Sequence, residues 1–112
     1  WISMIRLPDF ADDEVVAWAK AEALNKKDID ASLVEVFPYD EGLCVECLHA
    51  GPFDDEPATL EKMLSFMRDE GCRSDFSRRY HHEIYLSDPR RTEPEKLRTI
   101  IRHPVIRIEG EK

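Results

Sequence analysis

The chain has 112 residues, 42% of them hydrophobic and 36% charged, with a formal charge of −8. That length allows one domain with a modest core, and the acidic balance argues against nucleic acid or an anionic membrane as direct partner, because both reward clustered Lys and Arg. No apolar run approaches the roughly 18–20 residues of a membrane helix and no basic-then-apolar leader opens the chain, so the expected location is cytoplasmic.

Trp1–Leu7 is β-rich and stops at Pro8, which reads as a strand. A chain that starts at a Trp inside a strand, with no lead-in, reads as a piece of something longer. Asp12-Asp13-Glu14 places acids at a helix start, and Lys20, Lys26 and Lys27 crowd its far half, as the macrodipole favours. The helix is predicted over 12–27 with Val15, Trp18, Ala19 and Ala23 as its apolar stripe, a face that Glu22 keeps narrow. Leu33–Phe37 alternates as a strand ended by Pro38. Asp40-Glu41-Gly42 is turn chemistry, and Leu43–Ala50 returns as the next strand, ended by Gly51-Pro52.

Pro57 suits the first turn of a second helix, whose buried face is predicted to be Leu60, Met63, Leu64 and Met67 at helical spacing, with Gly71 as the stop. Residues 73–79 read as a polar loop and Tyr80–Leu86 as a strand. A short helical turn is expected around Pro94, and Leu97–Arg102 closes as a strand before Pro104. The order β-α-β-β-α-β-β predicts an α+β fold, an antiparallel sheet with helices on one face.

Three cysteines make no disulfide framework. Cys44-Val-Glu-Cys47 has the CxxC spacing of zinc and redox sites, but residues three apart on a strand face opposite ways. His49, His81 and His82 fail as a metal set for the same kind of reason, and His49 is expected to pack by the Gly51-Pro52 turn. Asp54, Asp55 and Glu56 read as helix-start acids ahead of Pro57. There is no phosphate-binding glycine loop, and no metal or other cofactor is expected.

The stretch His81-His-Glu-Ile-Tyr-Leu-Ser-Asp-Pro89 carries the most information. Period-2 geometry sets His82, Ile84 and Leu86 on one face and Glu83 with Tyr85 on the other. The apolar set is expected to meet the helices, leaving Glu83 and Tyr85 to face a ligand. Glu83 reads as a general base for water, as counter-charge for a cationic ligand, as an exposed strand acid, or as one paired with an arginine such as Arg90, Arg91 or Arg102. Tyr85 reads as a hydrogen-bond donor to a ligand or as a packed tyrosine.

Cys47-Leu-His-Ala-Gly-Pro-Phe-Asp-Asp55, Glu56-Pro57-Ala58, His82-Glu-Ile-Tyr-Leu-Ser-Asp-Pro-Arg90 and Leu97-Arg-Thr-Ile-Ile-Arg102, with the opening Met4–Phe10, resemble the GyrI-like small-molecule-binding proteins, and within them a stand-alone bacterial branch that includes cyclopropanoid cyclopropyl hydrolases. The resemblance implies two β-α-β-β modules around a ligand cleft. Residues 43–103 match the second module. The single domain 1–112 lacks a counterpart to the first module's opening strand and helix, and a second copy of the chain, in a homodimer, is one way to complete the cleft. It also implies hydrophobic, aromatic or cationic ligands, with Glu83 and Tyr85 matching the family's pocket acid and aromatic partner and Trp1 matching an aromatic residue of its central strand. Some members open strained cyclopropyl rings with water. Relatives fused to DNA-binding domains sense drugs. The implied roles are therefore hydrolysis by Glu83 with Tyr85 and Trp1 shaping the cleft, or ligand sequestration or sensing without turnover. An oligomerisation domain is the third reading.

Overall fold

The computed structural model describes residues 1–108. The chain divides into two compact units, Trp1–Tyr39 and a second that begins at Asp40.

The first unit is built on α1 (Asp13–Lys27). The Asp12 carboxylate caps it by accepting from the Val15 N–H at 2.9 Å, and Asp28 ends it in the left-handed region at φ 52°. Both ends follow the expected chemistry. Burial does not follow the expected stripe. No α1 residue is fully buried, and Trp18 and Ala19 are exposed. Val15, Val16 and Ala19 instead line a shallow depression of about 270 Å³ with Leu7, Ala11, Lys20, Ala31 and Val34. Trp1–Leu7 and Leu33–Phe37, read as strands, are irregular. Alternation says which face a strand would bury, but a strand forms only where a neighbour completes its hydrogen-bond ladder.

The second unit is α+β, as expected. Its order is β1 (Cys44–Ala50), α2 (Glu56–Asp69), β2 (Cys72–Ser74), β3 (His82–Tyr85) and β4 (Arg98–Arg107), with one-turn 3₁₀ segments at Phe53–Asp55 and Pro94–Lys96. All pairing is antiparallel and all of it runs through β4: β1 lies along one edge, while β3 and β2 share the other.

β4 passes through Pro104, which was expected to lie beyond the strand. The Val105 N–H donates to Leu43 O on the β1 side, and Pro104 O accepts from the Asp75 N–H on the other. Donor directions alternate along a strand, so the N–H that proline lacks would have pointed into the gap between the last β3 pair, at Arg102, and the first β2 pair, at Val105.

The buried side of α2 is Thr59, Met63 and Met67, with Leu60 half-buried and Leu64 exposed. This stripe is rotated from the expected one and, extended one turn towards the N-terminus, reaches Glu56. It packs on β1 and β2, and Met63, Met67, Cys72, Ile101 and Val105 form the core. Gly71, at φ 67°, ends the helix as expected. The strand β2 was missed because three residues, CRS, are too few to show a period.

One side chain braces the entrance to β1. The Arg79 guanidinium donates to Glu41 O (2.8 Å), Leu43 O (2.9 Å) and Val105 O (3.0 Å). Gly42 sits at φ 63°, and a Cβ there would lie 2.9 Å from Arg79 Nη1. Gly42→Ala is therefore expected to lower stability by roughly 1–3 kcal/mol, combining left-handed strain with disturbed hydrogen bonds. Urea denaturation checks this, and a loss below roughly 0.5 kcal/mol would show that the Arg79 brace yields freely.

Candidate functional site

Directly paired residues of an antiparallel sheet point the same way. Glu83 pairs with Ile101 and Tyr85 with Thr99, and Ile101 and Thr99 are both buried on the side that α2 covers. Glu83 and Tyr85 thus lie on the helix side of the sheet, the reverse of the expected placement. Ile84 pairs with Ile100, which in turn pairs with Leu48, and these turn to the other face. Alternation separated the two sets correctly, but it carries no sign saying which set meets the helix.

On that other face Arg102 ties three strands together. Its Nε donates to Glu46 Oε1 at 2.8 Å, its Nη1 to Glu41 Oε2 at 2.6 Å, and His82 Nδ1 donates to Glu41 Oε1 at 2.8 Å. Burial works to raise the Glu41 pKa, but His82 and Arg102 outweigh it and hold the carboxyl low. Arg102 is thereby committed away from Glu83, and Arg90 and Arg91 pair with Asp88. The surface-pair reading of Glu83 with an arginine is not what the structure shows.

Glu83 instead meets a second carboxylate. Glu56 is the first residue of α2, and its carboxyl is in hydrogen-bond contact with that of Glu83. Glu56 Oε2 and Glu83 Oε1 are both buried with no donor aimed at them. Burial first, then the hydrogen bond and charge of Glu83, push the Glu56 pKa up to about 7. A helix N-terminus favours an ionised acid, so burial and the like charge outweigh the dipole here.

The other Glu83 oxygen is held from the opposite direction. His81 Nε2 lies 3.3 Å from Glu83 Oε2, and His81 Nδ1 lies 2.7 Å from His103 Nε2. With the carboxylate accepting from His81 Nε2–H, His81 Nδ1 accepts from His103 Nε2–H, leaving His103 Nδ1 as a buried lone pair with no partner. Burial, aided by His81, pushes the His103 pKa down against the pull of Glu83. The Phe76 ring meets His103 edge-on at 5.2 Å.

Tyr85 stands two residues beyond Glu83 and is 57% exposed, with its ring 5.4 Å from that of Phe53. Burial, then the Glu83 and Glu56 charges, raise its pKa, which keeps the hydroxyl a donor. A carboxyl pair, an imidazole pair and a phenol therefore converge where α2 begins. Trp1, the remaining expected site residue, belongs to the first unit and is fully exposed.

Glu56, His103 and Phe53 were missed as site residues. Their signals existed: Glu56 is in phase with Thr59, Met63 and Met67, and His103 follows Ile101 by two on its strand. The CxxC cysteines do fall on opposite faces, Cys47 against the core and Cys44 away from it. His49 packs as expected, its Nε2 donating to Pro52 O and its Nδ1 accepting from Thr59 Oγ1, both at 2.7 Å.

The family described as the GyrI-like small molecule binding domain matches residues 10–106. The chain belongs to that family. Its fold is shared by solved structures: a hydrolase from Listeria innocua is 48% identical with a TM-score of 0.86, the match covering 90% of this chain and 52% of that one. An uncharacterized conserved protein from Listeria innocua is 50% identical with a TM-score of 0.84, covering 90% and 50%. This GyrI-like chain thus spans about half the length of these structures. No curated protein matches it. Among the described residues no helix is long and apolar enough to cross a membrane.

The carboxyl pair gives a pH signature. Glu56 has a folded pKa above its unfolded value of roughly 4.3, so between these values the folded state binds more protons than the unfolded one. The stabilisation it lends is full below the unfolded value and is lost as pH rises through about 7. His103, with its pKa lowered, acts in the opposite sense on the acid side, but is common to wild type and a Glu56→Gln variant. The stability of wild type relative to Glu56→Gln is expected to fall as pH rises from roughly 4.3 to about 7 and then level off. Thermal denaturation at a series of pH values measures this; a difference independent of pH would mean that Glu56 ionises as an ordinary surface acid.

Proposed function

We propose that this GyrI-like domain binds a small hydrophobic, aromatic or cationic molecule in a cleft and hydrolyses reactive cyclopropyl compounds there, with Glu83 as general base. The observation that carries the reading is the contact of Glu83 with Glu56, two carboxyls each with a buried oxygen, beside an exposed tyrosine. A base for water must be ionised near neutral pH and close to a ligand-sized opening. The 48% identical Listeria protein is named a hydrolase, which supports the same reaction class.

In this mechanism Glu83 takes a proton from water as its oxygen bonds to a ring carbon. A ring C–C bond breaks, and its electron pair passes into the conjugated carbonyl of the ligand. Tyr85 donates a hydrogen bond to that carbonyl oxygen, which then takes up the proton released by Glu83, so the net change is addition of one water. The Tyr85 and Phe53 rings offer flat apolar surface. No cofactor enters the scheme. The other wall comes from the remaining half of a longer protein or from a second copy of this chain, and the setting is cytoplasmic.

Wild type incubated with a cyclopropyl alkylating compound is expected to yield ring-opened product, and Glu83→Gln to lose about 10²–10⁴-fold in rate, the usual worth of a general base. No turnover by wild type, or turnover untouched by the substitution, removes the catalytic assignment. Ligand-induced stabilisation without product would support a sequestering or sensing module, since binding to the native state alone raises apparent stability. Size-exclusion chromatography of the chain with and without ligand tests the homodimer: a mass of one chain in both conditions rules it out.

A further inference from the structure

Four titratable groups stand in line on the helix side of the sheet: Glu56 on α2, Glu83 on β3, His81 just before β3, and His103 on β4. The contacts run Glu56 to Glu83, Glu83 Oε2 to His81 Nε2 at 3.3 Å, and His81 Nδ1 to His103 Nε2 at 2.7 Å. The two inner carboxyl oxygens are buried and lack any donor. Two ionised carboxylates cannot sit in that way, because an unsatisfied buried anion facing another is costly on both counts. One proton between them removes both penalties.

We propose that Glu56 is a positioning residue for Glu83: it keeps the proton that the two carboxyls share, donates it to Glu83 Oε1, and leaves Glu83 Oε2, aligned by His81 and His103, as the oxygen that takes a proton from water. This rests on the reading of Glu83 as the base. The geometry divides the labour between the two oxygens. Oε1 is buried and has no other partner, whereas Oε2 faces an imidazole that is itself partly exposed.

The imidazole pair matters because its protons are ordered. With the Glu83 carboxylate accepting from His81 Nε2–H, each ring donates through Nε2, and the line runs from His103 through His81 to Glu83 with His103 Nδ1 unpartnered at its end. His81 therefore fixes the outer oxygen without protonating it. Tyr85, the remaining titratable group of β3 on this face, stays neutral as a donor. Asp55, on the turn before α2, points back towards Gly51, its Oδ2 lying 3.9 Å from where a Cβ of Gly51 would stand. No arginine or lysine is among the groups that set the Glu56 charge.

The test reads the proton directly and needs no substrate. In protein labelled with carbon-13 at the glutamate carboxyls, one resonance is expected to titrate near 7, and it should disappear in Glu56→Gln, which assigns it. In Glu83→Gln the Glu56 resonance should move by more than one pH unit towards the ordinary value of roughly 4.3. Titration of every carboxyl in the ordinary range, or a Glu56 midpoint unmoved by Glu83→Gln, overturns the proposal. A second arm follows turnover of a cyclopropyl alkylating compound against pH. Loss of the shared proton should lower wild-type kcat/KM above about pH 7, and Glu56→Gln, whose amide still donates to Oε1, should lack that alkaline limb. A limb that persists in Glu56→Gln also overturns the proposal. If wild type shows no turnover at all, the base assignment fails, while the titration still decides whether the proton is shared.

Discussion

One strand carries this half of the molecule. β4 hydrogen-bonds to β1 along one edge and to both β3 and β2 along the other, and Ile101 and Val105 on it anchor the core beneath α2. The side chains of β4 therefore set the facing of every other strand. Because Ile101 is buried under the helix, its partner Glu83 must look the same way, and Thr99 does the same for Tyr85. A carboxylate and a phenol are thus drawn to the covered side of the sheet by register rather than by any preference of their own. The helix then contributes Glu56 because its apolar stripe, followed to the N-terminus, ends on that same side.

Burying acids is expensive, and this site reduces the cost by association. Glu83 is met by Glu56 on one oxygen and by His81 on the other, and His81 is met in turn by His103. Glu56 and His103 are both pushed towards their neutral forms, Glu56 by burial and Glu83, His103 by burial and His81. The opposite face handles its charges in another way, with Arg102 fully ionised between Glu41 and Glu46. One side of the sheet is a fixed ion-pair network and the other is a set of groups that can exchange protons. That contrast lies within a single layer of backbone in this GyrI-like domain.

Much of this was legible in the sequence. The acids and lysines of α1, the Pro57 start and Gly71 stop of α2, and the strand around Glu83 all carry local signals that need no tertiary information. What could not be read was relational. The LVEVF alternation predicts a strand that the structure does not contain, since its ladder depends on a neighbour. Leu64 has the right spacing for the core yet is exposed, because the stripe that won runs through Thr59. The facing of Glu83 was inverted because alternation distinguishes two faces without naming them. Glu56 explained itself too well as a helix-start acid, and its second role appears only when β3 is laid alongside β4. The resemblance of the quoted blocks gave the family correctly, whereas the proton-sharing partner came only from the folded geometry.

Pro104 leaves a break in the second edge of β4, with β3 on one side of it and β2 on the other. The two short strands are attached to a common rail but not to each other; the body of α2 packs on β1 and β2, and its first residue, Glu56, reaches Glu83 on β3. Peeling β3 away would break no hydrogen bond of β2 and open no part of the methionine core. What holds β3 beyond its pairing with β4 is side-chain contact at both faces, Glu83 to Glu56 on one and His82 to Glu41 on the other. The carboxyl pair is thus a fastening between helix and strand as well as a pair of titratable groups.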